Sequence, residues 1–87
     1  MPSVKKIIDK MERQPNGIRM AEAHRVLEAY GFDLVRQKGS HRQYLNMKTR
    51  ELITIKEKAT LERPYVEDIL KLVERKEADR NGKNERK

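Results

Sequence analysis

The 87-residue chain has no cysteine, no tryptophan, a single phenylalanine and only two histidines. Without cysteine there is no disulfide scaffold, no Cys-ligated zinc, no iron–sulfur cluster and no thiol nucleophile. Two histidines leave little room for a metal cage, so neither a metal nor a cofactor is expected. Residues of the set AVILMFWYC make up 36% of the chain, and no apolar run approaches the roughly 20 residues of a membrane span. Residues 1–9 lack the apolar stretch of a signal peptide. A soluble, cytoplasmic protein is the expectation. A chain this short buries about 60% of its unfolded surface, which excludes a large enzyme with a deep cofactor cavity and predicts one small core.

Charge is plentiful and unevenly placed. The chain carries 21 Lys+Arg against 14 Asp+Glu, a net charge of +7. Residues 36–58 hold seven cations (Arg36, Lys38, Arg42, Lys48, Arg50, Lys56, Lys58) and two carboxylates (Glu51, Glu57), a net +5. The remaining 64 residues contribute only +2. A concentrated basic stretch is the electrostatic footprint of a polyanion partner; a solvated lysine-rich sheet face is the plainer alternative.

Local patterns give an order of elements. Ser3 is placed to cap a first helix whose apolar stripe is Val4, Ile7, Ile8 and Met11, at i, i+3, i+4, i+7. Pro15-Asn16-Gly17 ends it. A second helix is predicted over about Met20 to Tyr30, burying Ala23, Val26, Leu27 and Tyr30, with Gly31 suited to the left-handed position that closes it. The period then changes. Phe32–Lys38 reads as an imperfectly alternating strand, Gly39-Ser40 as a turn, His41–Leu45 as a second strand, and Glu51–Ile55 as a third, rich in β-branched residues. Short turns make these strands antiparallel. A polar connector from Lys56 to Arg63 leads to Pro64 at the start of a last helix with a Val66, Ile69, Leu70, Val73 stripe. The fold class is therefore α+β, order α-α-β-β-β-α, with helices on one face of a small three-stranded antiparallel sheet. One domain over residues 1–76 is expected, followed by a charged disordered tail over 77–87.

The chemistry concentrates in Lys38-Gly39-Ser40-His41-Arg42-Gln43-Tyr44. Strand parity separates His41 and Gln43 from Arg42 and Tyr44. With Tyr44 as the core anchor, His41 projects from the solvent face beside Arg36, Lys38 and Lys56, while Arg42 lies at the sheet margin with its charged end reaching water. An exposed imidazole among cations suits attack of an RNA 2′-hydroxyl on the adjacent phosphate, since histidine titrates near neutrality and serves as a general base. The cations would stabilise charge on the crowded phosphate, Gly39 permits close backbone approach, and Ser40 adds a hydroxyl donor. The alternative is an ordinary strand histidine, or a phosphate contact without chemistry. His24 reads as a partly packed helix-surface residue; Tyr30, Phe32 and Tyr44 read as core aromatics; Tyr65 is open. Glu67-Asp68 favours the helix dipole rather than a metal.

The ordered run from Leu27 to Tyr44, with its Gly31-Phe32 boundary, basic strand, Gly39-Ser40-His41 and an aromatic three positions later, resembles the HicA toxins of bacterial HicAB toxin–antitoxin systems. Leu52–Ile55 and Pro64–Val73 supply the strand and closing helix of the pattern, so the resemblance spans about Met20 to Val73; the first helix makes the chain a longer variant. The resemblance implies a fold like the double-stranded-RNA-binding domain and a metal-independent ribonuclease that cleaves mRNA. It places the catalytic histidine at His41 and implies a HicB-like antitoxin covering the basic sheet face. Phosphate contacts are expected from Arg36, Lys38, Gly39, Ser40, Arg42 and Lys56. The competing functions are a non-catalytic RNA-binding module and an interaction subunit that docks an acidic partner.

Overall fold

A computed structural model describes residues 3–82, and the side chains of residues 3–78. The elements are α1 (Val4–Arg13), α2 (Met20–Ala29), β1 (Phe32–Lys38), β2 (His41–Asn46), β3 (Leu52–Lys56) and α3 (Arg63–Gly82). The predicted order and the α+β class are those observed. The sheet runs β1-β2-β3, antiparallel throughout. No described helix is long and apolar enough to cross a membrane.

Each helix end follows from its residues. Ser3 Oγ accepts the Lys6 N–H at 3.2 Å, removing one of the orphan donors of α1. Gly31 takes φ +91° immediately after the Tyr30 cap of α2, a conformation that costs a residue bearing Cβ about 1–2 kcal/mol. A Cβ there would also meet Asn46 Nδ2 at 3.2 Å. Asn46 is itself buried: its amide donates to Tyr30 O at 3.3 Å, and its Oδ1 accepts the N–H groups of Lys48 and Thr49 at 2.9 and 3.1 Å. One carboxamide thus joins the end of α2 to the β2–β3 turn.

The helices cover one side of the sheet. Ile7 and Met11 from α1, Ala23, Val26 and Leu27 from α2, and Val66, Ile69, Leu72 and Val73 from α3 meet Phe32, Tyr44 and Ile55 of the strands. Four core members lie outside the predicted helical stripes, Met20 and Leu72 within the helices and two in the connectors. Ile18 and Leu61, in connectors that read as polar, are almost fully buried, and the Leu61 N–H donates to Ile18 O at 2.7 Å. These two loops close the end of the core between the helices.

The last helix differs from expectation at its far end. It starts one residue before Pro64 and continues through Gly82, so residues 77–82 are helical where a tail was predicted; residues 83–87 lie outside the described residues. Apolar periodicity does end near Lys76, but Glu77, Ala78 and Arg80 are good helix formers. The Tyr30 hydroxyl donates to Glu77 Oε2 at 2.7 Å and anchors this turn to α2.

Candidate functional site

The uncovered face of the sheet is built by pairing register. Lys38 lies opposite His41, and His41 opposite Lys56; one step along, Arg36 lies opposite Gln43, and Gln43 opposite Thr54. Cross-strand partners project to the same face, so six side chains form two adjacent rows. The rows are about 6.6–6.8 Å apart along the strand, two residues of rise.

A bulge makes this arrangement. Phe32 and Leu34 share the core-side parity, and strict alternation would place Arg36 and Lys38 on that side as well. The register instead slips between Leu34 and Arg36: Leu34 pairs with Tyr44 and Arg36 with Gln43, leaving Val35 as the extra residue. The extra residue reverses the parity of the rest of β1, which turns Arg36 and Lys38 outward beside His41. The turn that follows has Gly39 at φ +58°, the value of the first central position in a type II′ hairpin. An added Cβ at Gly39 would meet nothing within 4 Å, so its backbone is open to a ligand. The Glu57 N–H donates to Ser40 O at 2.6 Å, tying this turn to the end of β3.

A cavity of about 490 Å³ opens on this face, lined by Arg36, Lys38, His41, Gln43 and Thr54. His41 and Lys38 are exposed, and Gln43 is half-buried. Of the residues expected to bind phosphate, Arg36 and Lys38 line the cavity with His41; Lys56 flanks His41 from β3; Gly39 and Ser40 form the adjoining turn. Gln43 and Thr54 are lining residues that sequence reasoning did not single out, although parity with His41 already placed Gln43 on its face.

Arg42 is not brought to this face. It points beneath the sheet, where its side chain is 21% exposed and forms an ion pair with Glu57 Oε1 at 3.2 Å. Hydrogen bonding to the Tyr44 hydroxyl, against an opposing effect of burial, holds its guanidinium above its usual range. Burial in turn pushes the Tyr44 hydroxyl up, opposed by Arg42. The Tyr44 oxygen also lies 2.7 Å from His24 Nδ1, and His24 Nε2 lies 3.1 Å from Glu28 Oε2. Which of His24 Nδ1 and the Tyr44 hydroxyl donates depends on the imidazole tautomer. His24 is therefore more than a packed surface residue. It is one member of a polar chain Glu28–His24–Tyr44–Arg42–Glu57 that runs under β2 and ends where Glu57 secures the Gly39-Ser40 turn.

The site can therefore present a proton acceptor, two to three cations and a neutral amide–hydroxyl pair to one ligand. Tyr65, the open aromatic, is half-buried against the core and is no part of it. Among known proteins, a family model described as HicA toxin of bacterial toxin–antitoxin matches residues 20–74, from the start of α2 into α3 and across the whole sheet. No curated protein and no solved structure matches the chain.

Proposed function

The chain belongs to the HicA toxin family, and from that premise we propose that it is a metal-independent endoribonuclease in which His41 is the general base. As a member it is the toxin of a toxin–antitoxin system, with a cognate antitoxin and an RNA substrate. The observation that carries the catalytic reading is the convergence of His41, Arg36 and Lys38 on one open cavity.

The reaction is a transesterification. The His41 imidazole takes the proton of a 2′-hydroxyl as the 2′-oxygen forms a bond to the adjacent phosphorus. The bond from phosphorus to the 5′-oxygen breaks, and that oxygen takes a proton from solvent. The products are a 2′,3′-cyclic phosphate and a 5′-hydroxyl. Arg36 and Lys38 neutralise the non-bridging oxygens as charge builds there, and Lys56 extends the phosphate track past His41. Gly39 and Ser40 hold the backbone of the turn close to the strand of RNA. Arg42, facing the other way, braces β2 rather than binding phosphate. A HicB-type antitoxin would silence the enzyme by covering this same basic face.

Replacing His41 by Ala removes the base and is expected to slow single-turnover RNA cleavage by about 10²–10⁴-fold, with RNA affinity retained and growth arrest on expression abolished. Equal cleavage by wild type and variant would overturn the assignment of His41. Tight RNA binding with no cleavage by either would favour a non-catalytic RNA-binding module.

A further inference from the structure

The cavity on the exposed sheet face is chemically divided. Lys38 and Arg36 in its lining are cationic, whereas Gln43 and Thr54 are uncharged and sit side by side on paired strands. Gln43 occupies the middle strand directly along from His41, flanked by Arg36 on one side and Thr54 on the other. Cations suffice to hold phosphates, but a lysine ammonium or a guanidinium offers donors only. A carboxamide offers both a donor and an acceptor, as does a hydroxyl. These are the groups that distinguish one base edge from another, while phosphate contacts position the strand without reading it.

Placement reinforces the chemistry. Gln43, on the middle strand, is half-buried while His41 is exposed, so a base lying over this row is shielded more from water than a group at His41. The row spacing of about 6.6–6.8 Å separates a phosphate seated at His41 from a group seated at Gln43, as the phosphate and base of one nucleotide are separated. Sequence-specific RNA recognition uses unpaired bases read on their hydrogen-bonding edges, and this open face admits a single strand.

We propose that Gln43, supported by Thr54, reads the edge of the unpaired nucleobase next to the scissile phosphate and sets the cleavage preference. This rests on the assignment of the same cavity as the RNA site. Gln43→Met keeps the length of the side chain and removes both hydrogen-bonding groups. Gln43→Glu keeps the shape and leaves acceptors only, so it favours bases that carry an amino donor, adenine, cytosine and guanine, over uracil, which has none.

The test is the base distribution around cleavage sites in a randomised RNA library, read by sequencing for wild type, Gln43→Met, Gln43→Glu and His41→Ala. A second readout is the affinity of each protein for oligo(A), oligo(C) and oligo(U), which needs no cleavage. The expected results are a preference at one position beside the cut, on the order of 5- to 150-fold in wild type, flattened at that position alone in Gln43→Met. Gln43→Glu should shift it away from uracil, with affinity for oligo(A) and oligo(C) rising relative to oligo(U). Unchanged profiles and unchanged affinity ratios in both variants would overturn the proposal. So would a wild-type guanine preference that survives Gln43→Met, which would point to Arg36 as the reader. Loss of cleavage in His41→Ala, with the wild-type base preference intact in binding, separates the reading of the base from the chemistry. If wild type cleaves nothing but its affinity ratios still depend on Gln43, the catalytic reading fails and the base-reading site stands.

Discussion

Substituting Phe for Tyr44 removes one oxygen atom from a fully buried ring and leaves two groups, the Arg42 guanidinium and His24 Nδ1, without the hydroxyl between them. Net loss of a hydrogen bond of this kind costs about 0.5–1.5 kcal/mol, so chemical denaturation should show Tyr44→Phe destabilised by that amount. The ring still fills the core, and RNA affinity should be unchanged because no atom of the exposed face is altered. A variant as stable as wild type would mean that the polar chain under β2 contributes nothing. The chain was only half legible in the sequence. Parity put Tyr44 and Arg42 on the same side, but the meeting of His24 with Tyr44 depends on how α2 crosses the sheet, which no local pattern encodes. Asn46 escaped for the same reason: its role exists only where the α2 terminus and the β2–β3 turn come together.

At the scale of elements, α3 is fastened to the start of β3 by Glu51, which pairs with Lys76 at 2.6 Å and Arg75 at 2.7 Å. The hydrogen bond from Lys76, foremost, opposed by burial and reinforced by the hydrogen bonds of Thr49 and Arg75, holds the Glu51 carboxyl below its usual value of 4.5. A lowered carboxylate pKa in the folded state adds stability that is complete above the ordinary carboxylate range and is lost as pH falls through the lowered value. Glu51→Gln should therefore cost about 0.5–1 kcal/mol near neutrality, with the gap to wild type closing on acidification in thermal melts at successive pH values. A gap independent of pH would contradict the ionic attribution. The elements themselves were largely legible, because apolar spacing, caps and β-branched runs are local signals. Two departures have physical causes. The bulge at Val35 leaves no mark beyond imperfect alternation, yet it decides that Arg36 and Lys38 face outward. The far turns of α3 lack an apolar stripe, so periodicity alone stopped the helix at Lys76, although propensity and the Tyr30–Glu77 contact carry it on.

Across the whole molecule, part of the +7 charge gathers on one sheet face opposite the helical layer. Three cations, Arg36, Lys38 and Lys56, stand beside His41, and neutralising three phosphates of a single strand predicts a slope of log affinity against log salt of about −2. RNA binding should weaken roughly 20-fold between 50 and 200 mM salt, and Lys56→Ala should make the slope shallower. Affinity insensitive to salt would move the RNA away from this face. The place of the candidate cavity is legible in the sequence, since charge density and the Gly39-Ser40-His41 turn coincide; its full lining is not, because Gln43 and Thr54 carry no charge to draw notice. The proposed cleavage requires a 2′-hydroxyl as nucleophile with His41 as its base. The most direct measurement gives the wild-type protein an RNA bearing one 2′-deoxynucleotide immediately 5′ of a mapped cleavage bond, with end-group analysis of the products. The expected result is no cut at that bond, normal cutting at unmodified sites, and a 2′,3′-cyclic phosphate on every 5′ fragment. Cleavage of the deoxy-substituted bond at the ordinary rate would make water the nucleophile and contradict the account.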